Sequence, residues 1–189
     1  YLTSTINGAN ISITNNTISG LTGSGTGVSA GISLLFGTGG FTITGNSFTD
    51  IKNTSTGSGT AAGILLNTTS TTANTLVANN FISDIAGNGG SNNGFGIAVA
   101  TGAGYSIYHN SISLATDQAT AGTTAALSVA AGVTDAGALN VRNNIFVYTQ
   151  TTGARYAVYS LAPSSVFAAM DYNDYYTNGG LLGYIGSDR

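Results

Sequence analysis

Apolar and polar residues alternate along this chain in short packets, and the packets recur. Ile11 and Ile13, Phe41 and Ile43, Thr75 and Val77, Tyr105 and Ile107, Leu139 and Val141, and Ala168 and Met170 stand five and three residues before an asparagine. Ile18, Phe48, Ile82, Ile112, Phe146 and Tyr175 stand two residues after it. Period-two spacing sends both members of a pair to one face, so each packet predicts a strand, a bend at the asparagine, and a second strand. The asparagines are Asn16, Asn46, Asn80, Asn110, Asn144 and Asn173, at steps of 30, 34, 30, 34 and 29 residues. A steady period with variable insertions is the mark of a solenoid.

A third strand is read about half a coil away, from Ile32-x-Leu34, Ile64-x-Leu66, Ile97-x-Val99, Leu127-x-Val129 and Val158-x-Ser160. Gly31, Gly63 and Gly96 precede the first three of these, which suggests a turn with backbone angles that other residues avoid. Loops such as 52–59 and 88–94, rich in Ser, Thr, Asn and Gly, absorb the drift in period. The expected fold is all-β: a right-handed parallel β-helix of about six coils, each with three short strands and roughly 30–34 residues. At about 4.8 Å per coil, the rod would be roughly 25 to 30 Å long.

Two columns fix the register. The residues just before the asparagines are Asn15, Gly45, Asn79, His109, Asn143 and Tyr172, and the first five are types that tolerate a left-handed backbone. The following column is asparagine in all six coils, which predicts an amide ladder at one turn, each side chain donating to the carbonyl of its neighbour one coil away. The lone histidine, His109, is thereby explained as a turn residue.

The pattern I-x-I-x-x-N-x-[IF], seen as Ile11 to Ile18 and Phe41 to Phe48, resembles the parallel β-helix repeats of the pectin-lyase-like superfamily over essentially the whole chain. The closing stretch 171–186, DYNDYYTNGGLLGYIG, resembles a phrase of very large secreted surface proteins of Bacteroidota. That second resemblance implies export by the type IX secretion system and a place at the cell surface or outside the cell. The fold itself carries lyases, hydrolases, adhesins and tail spikes, so it leaves activity open.

Composition narrows the choices. Of 189 residues 28 are Gly, one is Pro, none is Cys or Trp, and only 6% are charged, which excludes a disordered polyelectrolyte and a disulfide scaffold. A net charge of -3, with Lys52, Arg142, Arg155 and Arg189 scattered, argues against nucleic-acid binding. No apolar run approaches the roughly 20 residues of a membrane span. No signal peptide opens the chain, and no capping helix is read at either end, so residues 1–189 are expected to be one β-helix segment of a longer protein.

Candidate chemistry is sparse. Asp50 and Asp84 share a column four residues after the ladder, with Lys52 close by. Stacked carboxylates with a lysine would suit a polysaccharide lyase or glycoside hydrolase, or hold a calcium ion. The bland alternative makes them turn residues where the loop departs, and it is the favoured one. A single His and no Cys point to no other metal or cofactor. Two residues before the ladder, Tyr108, Arg142 and Asp171 stack outward in the last three coils, as packing decoration or as a ligand-binding face for glycans. The favoured function is a structural or adhesive module of a secreted surface protein without catalysis of its own. Its expected partners are extracellular glycans or the secretion and anchoring machinery; the alternative is a carbohydrate-active domain.

Overall fold

Each packet of alternating residues becomes a strand, and each strand pairs in parallel with its equivalent one coil further on. The computed structural model describes residues 2–3, 11–37, 39–179 and 181–186; Tyr1, Gly180 and Arg189 lie outside the described residues. Among the described residues the strands form four parallel sheets.

The first sheet stacks Ile11–Thr14, Phe41–Thr44, Thr75–Ala78, Tyr105–Tyr108, Leu139–Arg142 and Phe167–Asp171. Beyond the asparagine bend, the second sheet stacks Thr17–Ile18, Ser47–Phe48, Phe81–Ser83, Ser111–Leu114, Ile145–Tyr148 and Asp174–Thr177. The third contains Leu2–Thr3, Val28–Phe36, Thr60–Thr68, Asn92–Thr101, Thr123–Val129, Arg155–Ser160 and Leu181–Ile185. The predicted column Ile32, Ile64, Ile97, Leu127 and Val158 is held residue for residue in this third sheet. The path from Asn16 to Asn173 crosses five ladder steps, so the chain makes about five turns of a parallel β-solenoid.

A fourth sheet, absent from the three-strand expectation, consists of Leu21–Gly23, Ile51–Asn53 and Ile85–Gly87. Its cause lies in one column. Gly20, Asp50 and Asp84 take left-handed backbones, with φ of 67, 52 and 53°. Each turn starts a new strand. Leu114 and Tyr148 occupy the same column in the next two coils, and there the second-sheet strand runs straight through, burying both side chains. Coils therefore have four strands up to Asp84 and three after it.

The core fills the tube. Ile43, Val77, Ile107 and Val141 face inward from the first sheet and Phe48, Ile82, Ile112 and Phe146 from the second, all fully buried or nearly so. Each such side chain contributes about 1.5–3 kcal/mol by burial. The last coil departs from the expected pair. A bulge shifts the register between Leu139↔Phe167 and Asn140↔Ala169, so Phe167 rather than Ala168 joins Met170 against the core. An extra residue in one strand displaces the alternation by one, as a bulge must.

Gly31, Gly63 and Gly96 also differ from expectation. They lie inside third-sheet strands, not in turns, and none has a positive φ. What they lack is room. A Cβ on Gly63 would lie 2.6 Å from Ile82 Cγ2 and 2.7 Å from Gly96 O; one on Gly96 would lie 2.4 Å from Ile112 Cγ2 and 2.6 Å from Ala126 O. These glycines let Phe48, Ile82 and Ile112 of the second sheet press against the third-sheet backbone.

The corner asparagines form the predicted ladder. Asn46, Asn80, Asn110 and Asn144 are buried, and each Nδ2 donates at 2.9–3.0 Å to Oδ1 of the next asparagine towards the C-terminus. The same amide donates backwards, as from Asn110 Nδ2 to Val77 O at 2.9 Å. Each Oδ1 also accepts the backbone N–H of the preceding ladder asparagine, as Asn110 Oδ1 does from Asn80 N at 3.1 Å. Before it, Asn15, Gly45, Asn79, His109, Asn143 and Tyr172 all have φ between 54 and 67°.

Candidate functional site

Asp50, Lys52 and Asp84 do come together, and the backbone explains why they are there. Asp tolerates a left-handed backbone better than most residues, so the column that starts the fourth sheet accepts it where Gly20 stands one coil earlier. Lys52 then projects from the fourth-sheet strand between the two turns. Its Nζ lies 3.8 Å from Asp50 Oδ1, makes an ion pair with Asp84 Oδ1, and donates to Asp84 O at 2.8 Å. Thr116 Oγ1, one coil further, donates to the same Asp84 oxygen. The cluster thus lashes three successive coils together at the point where the fourth sheet ends.

Burial alone would raise the Asp84 carboxyl. Hydrogen bonds from Lys52 and Thr116, with the charge of Lys52, outweigh it and hold the group below its ordinary 3.8. The folded state therefore favours the carboxylate, and the stability it contributes is full above the ordinary value and lost as pH falls through the lowered one. We expect wild-type stability to fall below about pH 4, and Lys52→Met to remove part of that loss while costing about 0.5–1 kcal/mol at neutral pH. Urea midpoints between pH 5 and pH 3 check this. Identical pH slopes in the two proteins would show that Lys52 does not set the Asp84 charge.

The second candidate group lies on the outer face of the first sheet. Tyr108 and Arg142 are register partners, as are Arg142 and Asp171. Arg142 Nε stands 2.9 Å from Asp171 Oδ1, an ion pair that is not aligned as a hydrogen bond. All three side chains are only partly buried, so a ring, a guanidinium and a carboxylate are offered side by side along the rod. His109, next to them, serves the backbone: its φ is 54° and its N–H donates to Arg142 O at 3.2 Å.

Sequence reasoning missed two features. One is a tyrosine cluster outside the solenoid, on the third sheet. Tyr156 stacks on Tyr159 with centroids 5.0 Å apart, and Tyr159 meets Tyr184 of the next coil at 5.2 Å. Tyr156 and Tyr159 pack against Phe95, Ala98 and Ala125 in a second apolar cluster. Burial, then the neighbouring Tyr184, raises the Tyr159 phenol above its ordinary value. The signal was the outward alternation about Val158, which places Tyr159 opposite Tyr184.

The other is a set of buried amides that pin the loops. Asn53 Nδ2 donates to Gly27 O at 2.7 Å, Asn93 Nδ2 to Gly89 O at 2.9 Å, Gln118 Nε2 to Gly122 O at 3.1 Å and Gln150 Nε2 to Thr116 O at 2.7 Å. Loops of different length and sequence are held by one device. For Asn53 the cue was period-two spacing from Ile51, which puts the amide on the inner face.

Among the described residues no three His, Cys, Asp or Glu side chains converge on a point that could hold a metal ion, and no helix is long and apolar enough to cross a membrane. Comparison with protein-family models, with curated proteins and with solved structures finds no match.

Proposed function

We propose that this segment is a structural or adhesive rod within a large secreted surface protein of the pectin-lyase-like type, without catalysis of its own. The observation that carries the reading is the role of Asp50, Lys52 and Asp84. Two left-handed turns and a lysine tether give these three residues a structural reason to stand together without a lyase or hydrolase centre. The resemblance of 171–186 to Bacteroidota surface proteins supports a place outside the cell, with type IX secretion as the route and its anchoring machinery as a partner. Purified protein is expected to release neither unsaturated nor reducing ends from pectins, alginates or glucans. Turnover that disappears in Asp50→Asn and Asp84→Asn would replace this reading with an enzyme.

A second reading, glycan binding, is favoured by the first-sheet face. Tyr108 supplies a ring for the apolar side of a sugar, while Arg142 and Asp171 supply donors and acceptors for hydroxyls. Adhesion to a glycan and service as a rod are compatible.

A further inference from the structure

The first-sheet face continues into a groove that the rod does not need. Ser106 and Asn140 lie on the same outer face as Tyr108 and Arg142, two residues earlier in the same strands and so about 6.7 Å away along them. They form one wall of a groove of about 510 Å³, within the range of roughly 300–1,000 Å³ usual for small-ligand sites. Thr71, Thr72 and Asn74 of one loop and Asp135 of the loop two coils on line it too, and an adjoining hollow of about 190 Å³ shares Thr71 and Asp135.

Its base is made of very small residues: Ala103, Gly104, Ala136, Gly137, Ala138 and Ala168. Gly104 is fixed there twice over. Its φ is +85°, and a Cβ would lie 2.9 Å from Ala73 N and 3.0 Å from Asn74 N.

Two polar groups in the groove lack protein partners. Asn140 Oδ1 is shielded from solvent and takes no hydrogen bond. A buried acceptor without a donor costs about 1–3 kcal/mol, so turning this oxygen towards a donor in the groove relieves a penalty. Asp135 is part-buried and its carboxylate, too, forms no ion pair or hydrogen bond among the described residues, while Thr71 and Thr134 hydroxyls lie along the same walls. The occupant must bring donors and must not bring negative charge, since Arg142 is already matched by Asp171.

We propose that this groove, with Tyr108 two residues beyond Ser106 in the same strand, binds a neutral oligosaccharide. The inference rests on the glycan-binding reading and deepens it. Hydroxyl donors meet Asn140 Oδ1 and the Asp135 carboxylate, the bare floor admits the ring, and Tyr108 stacks on the next unit. Polyuronates are refused by Asp135.

Calorimetric titration of the whole chain with cello-, laminari-, xylo- and manno-oligosaccharides, and with oligogalacturonate and oligoguluronate, tests this. Saturable binding of a neutral oligosaccharide is expected, with none by the acidic ones. Asp135→Asn and Asn140→Ala should each weaken it about tenfold, or 1.4 kcal/mol, with no fall in melting temperature. Tyr159→Ala, on another sheet, should leave it unchanged. Binding that survives both groove variants but is lost in Tyr159→Ala overturns the groove and leaves the glycan reading standing. Tighter binding of acidic oligosaccharides overturns the proposed ligand class, and no binding by any of them overturns both.

Discussion

Asn110→Leu is expected to be the most damaging single change at the asparagine corner of this rod. Leucine shares the branched outline of asparagine but offers no polar group. Its loss would strip Val77 O and Asn144 Oδ1 of a donor, and Asn80 of the acceptor for both its backbone N–H and its Nδ2. Asn110 is 0% exposed, so water cannot replace these bonds. Buried groups left unpaired cost about 1–3 kcal/mol each, and we expect a total of about 3–5 kcal/mol. For a chain of this size, that lowers the melting temperature by on the order of 10 °C. Asn16→Leu, at the exposed end of the ladder, should cost under about 1 kcal/mol. Thermal unfolding of the two variants side by side checks both. Equal melting temperatures for Asn110→Leu and the wild type would mean that the ladder does not hold the corner.

Gly96→Ala should come close behind, for the opposite reason. One added methyl is usually harmless, and at Gly25, where nothing lies within 4 Å, it should change stability by less than about 0.5 kcal/mol. At Gly96 it would meet a carbonyl 2.6 Å away and Ile112 Cγ2 at 2.4 Å. The carbonyl belongs to Ala126 in the adjoining strand and cannot retreat without breaking the ladder of backbone bonds. Overpacking of this kind costs about 1–3 kcal/mol, and the backbone contact places Gly96→Ala at the upper end. Urea midpoints of Gly96→Ala and Gly25→Ala measure the difference. A Gly96→Ala midpoint equal to that of Gly25→Ala would show that the close approach relaxes freely.

The repeat of Ile, Asn and Ile was enough to place the corner and the core. Asn80 and Ile82 stand where spacing alone puts them, because a side-chain period of two and a buried amide leave no other register. The lashing role of Asp50, Lys52 and Asp84 was only half legible. Their shared column put the carboxylates together. That Lys52 would span them and Thr116 would join from the next coil depended on where the fourth sheet stopped. The groove beside Asn140 was not legible at all, since Thr71, Gly104 and Asp135 lie on three different loops.

Local pattern and its recurrence determined the strands of the first two sheets up to the bulge in the last coil, and the identity of the ladder, since alternation depends on residues a few positions apart and stacking on their return every 29–34 residues. Contact between coils decided the rest. Tyr172 takes a left-handed φ of 56° that its residue type disfavours, because five coils stacked before it set the path of the sixth corner. Gly31, Gly63 and Gly96 are glycines for want of space against a neighbouring strand, a constraint visible only when the coils are stacked. The number of strands per coil changes after Asp84 because leucine and tyrosine gain more from burial in the tube than from a turn, and that gain exists only once the tube has closed.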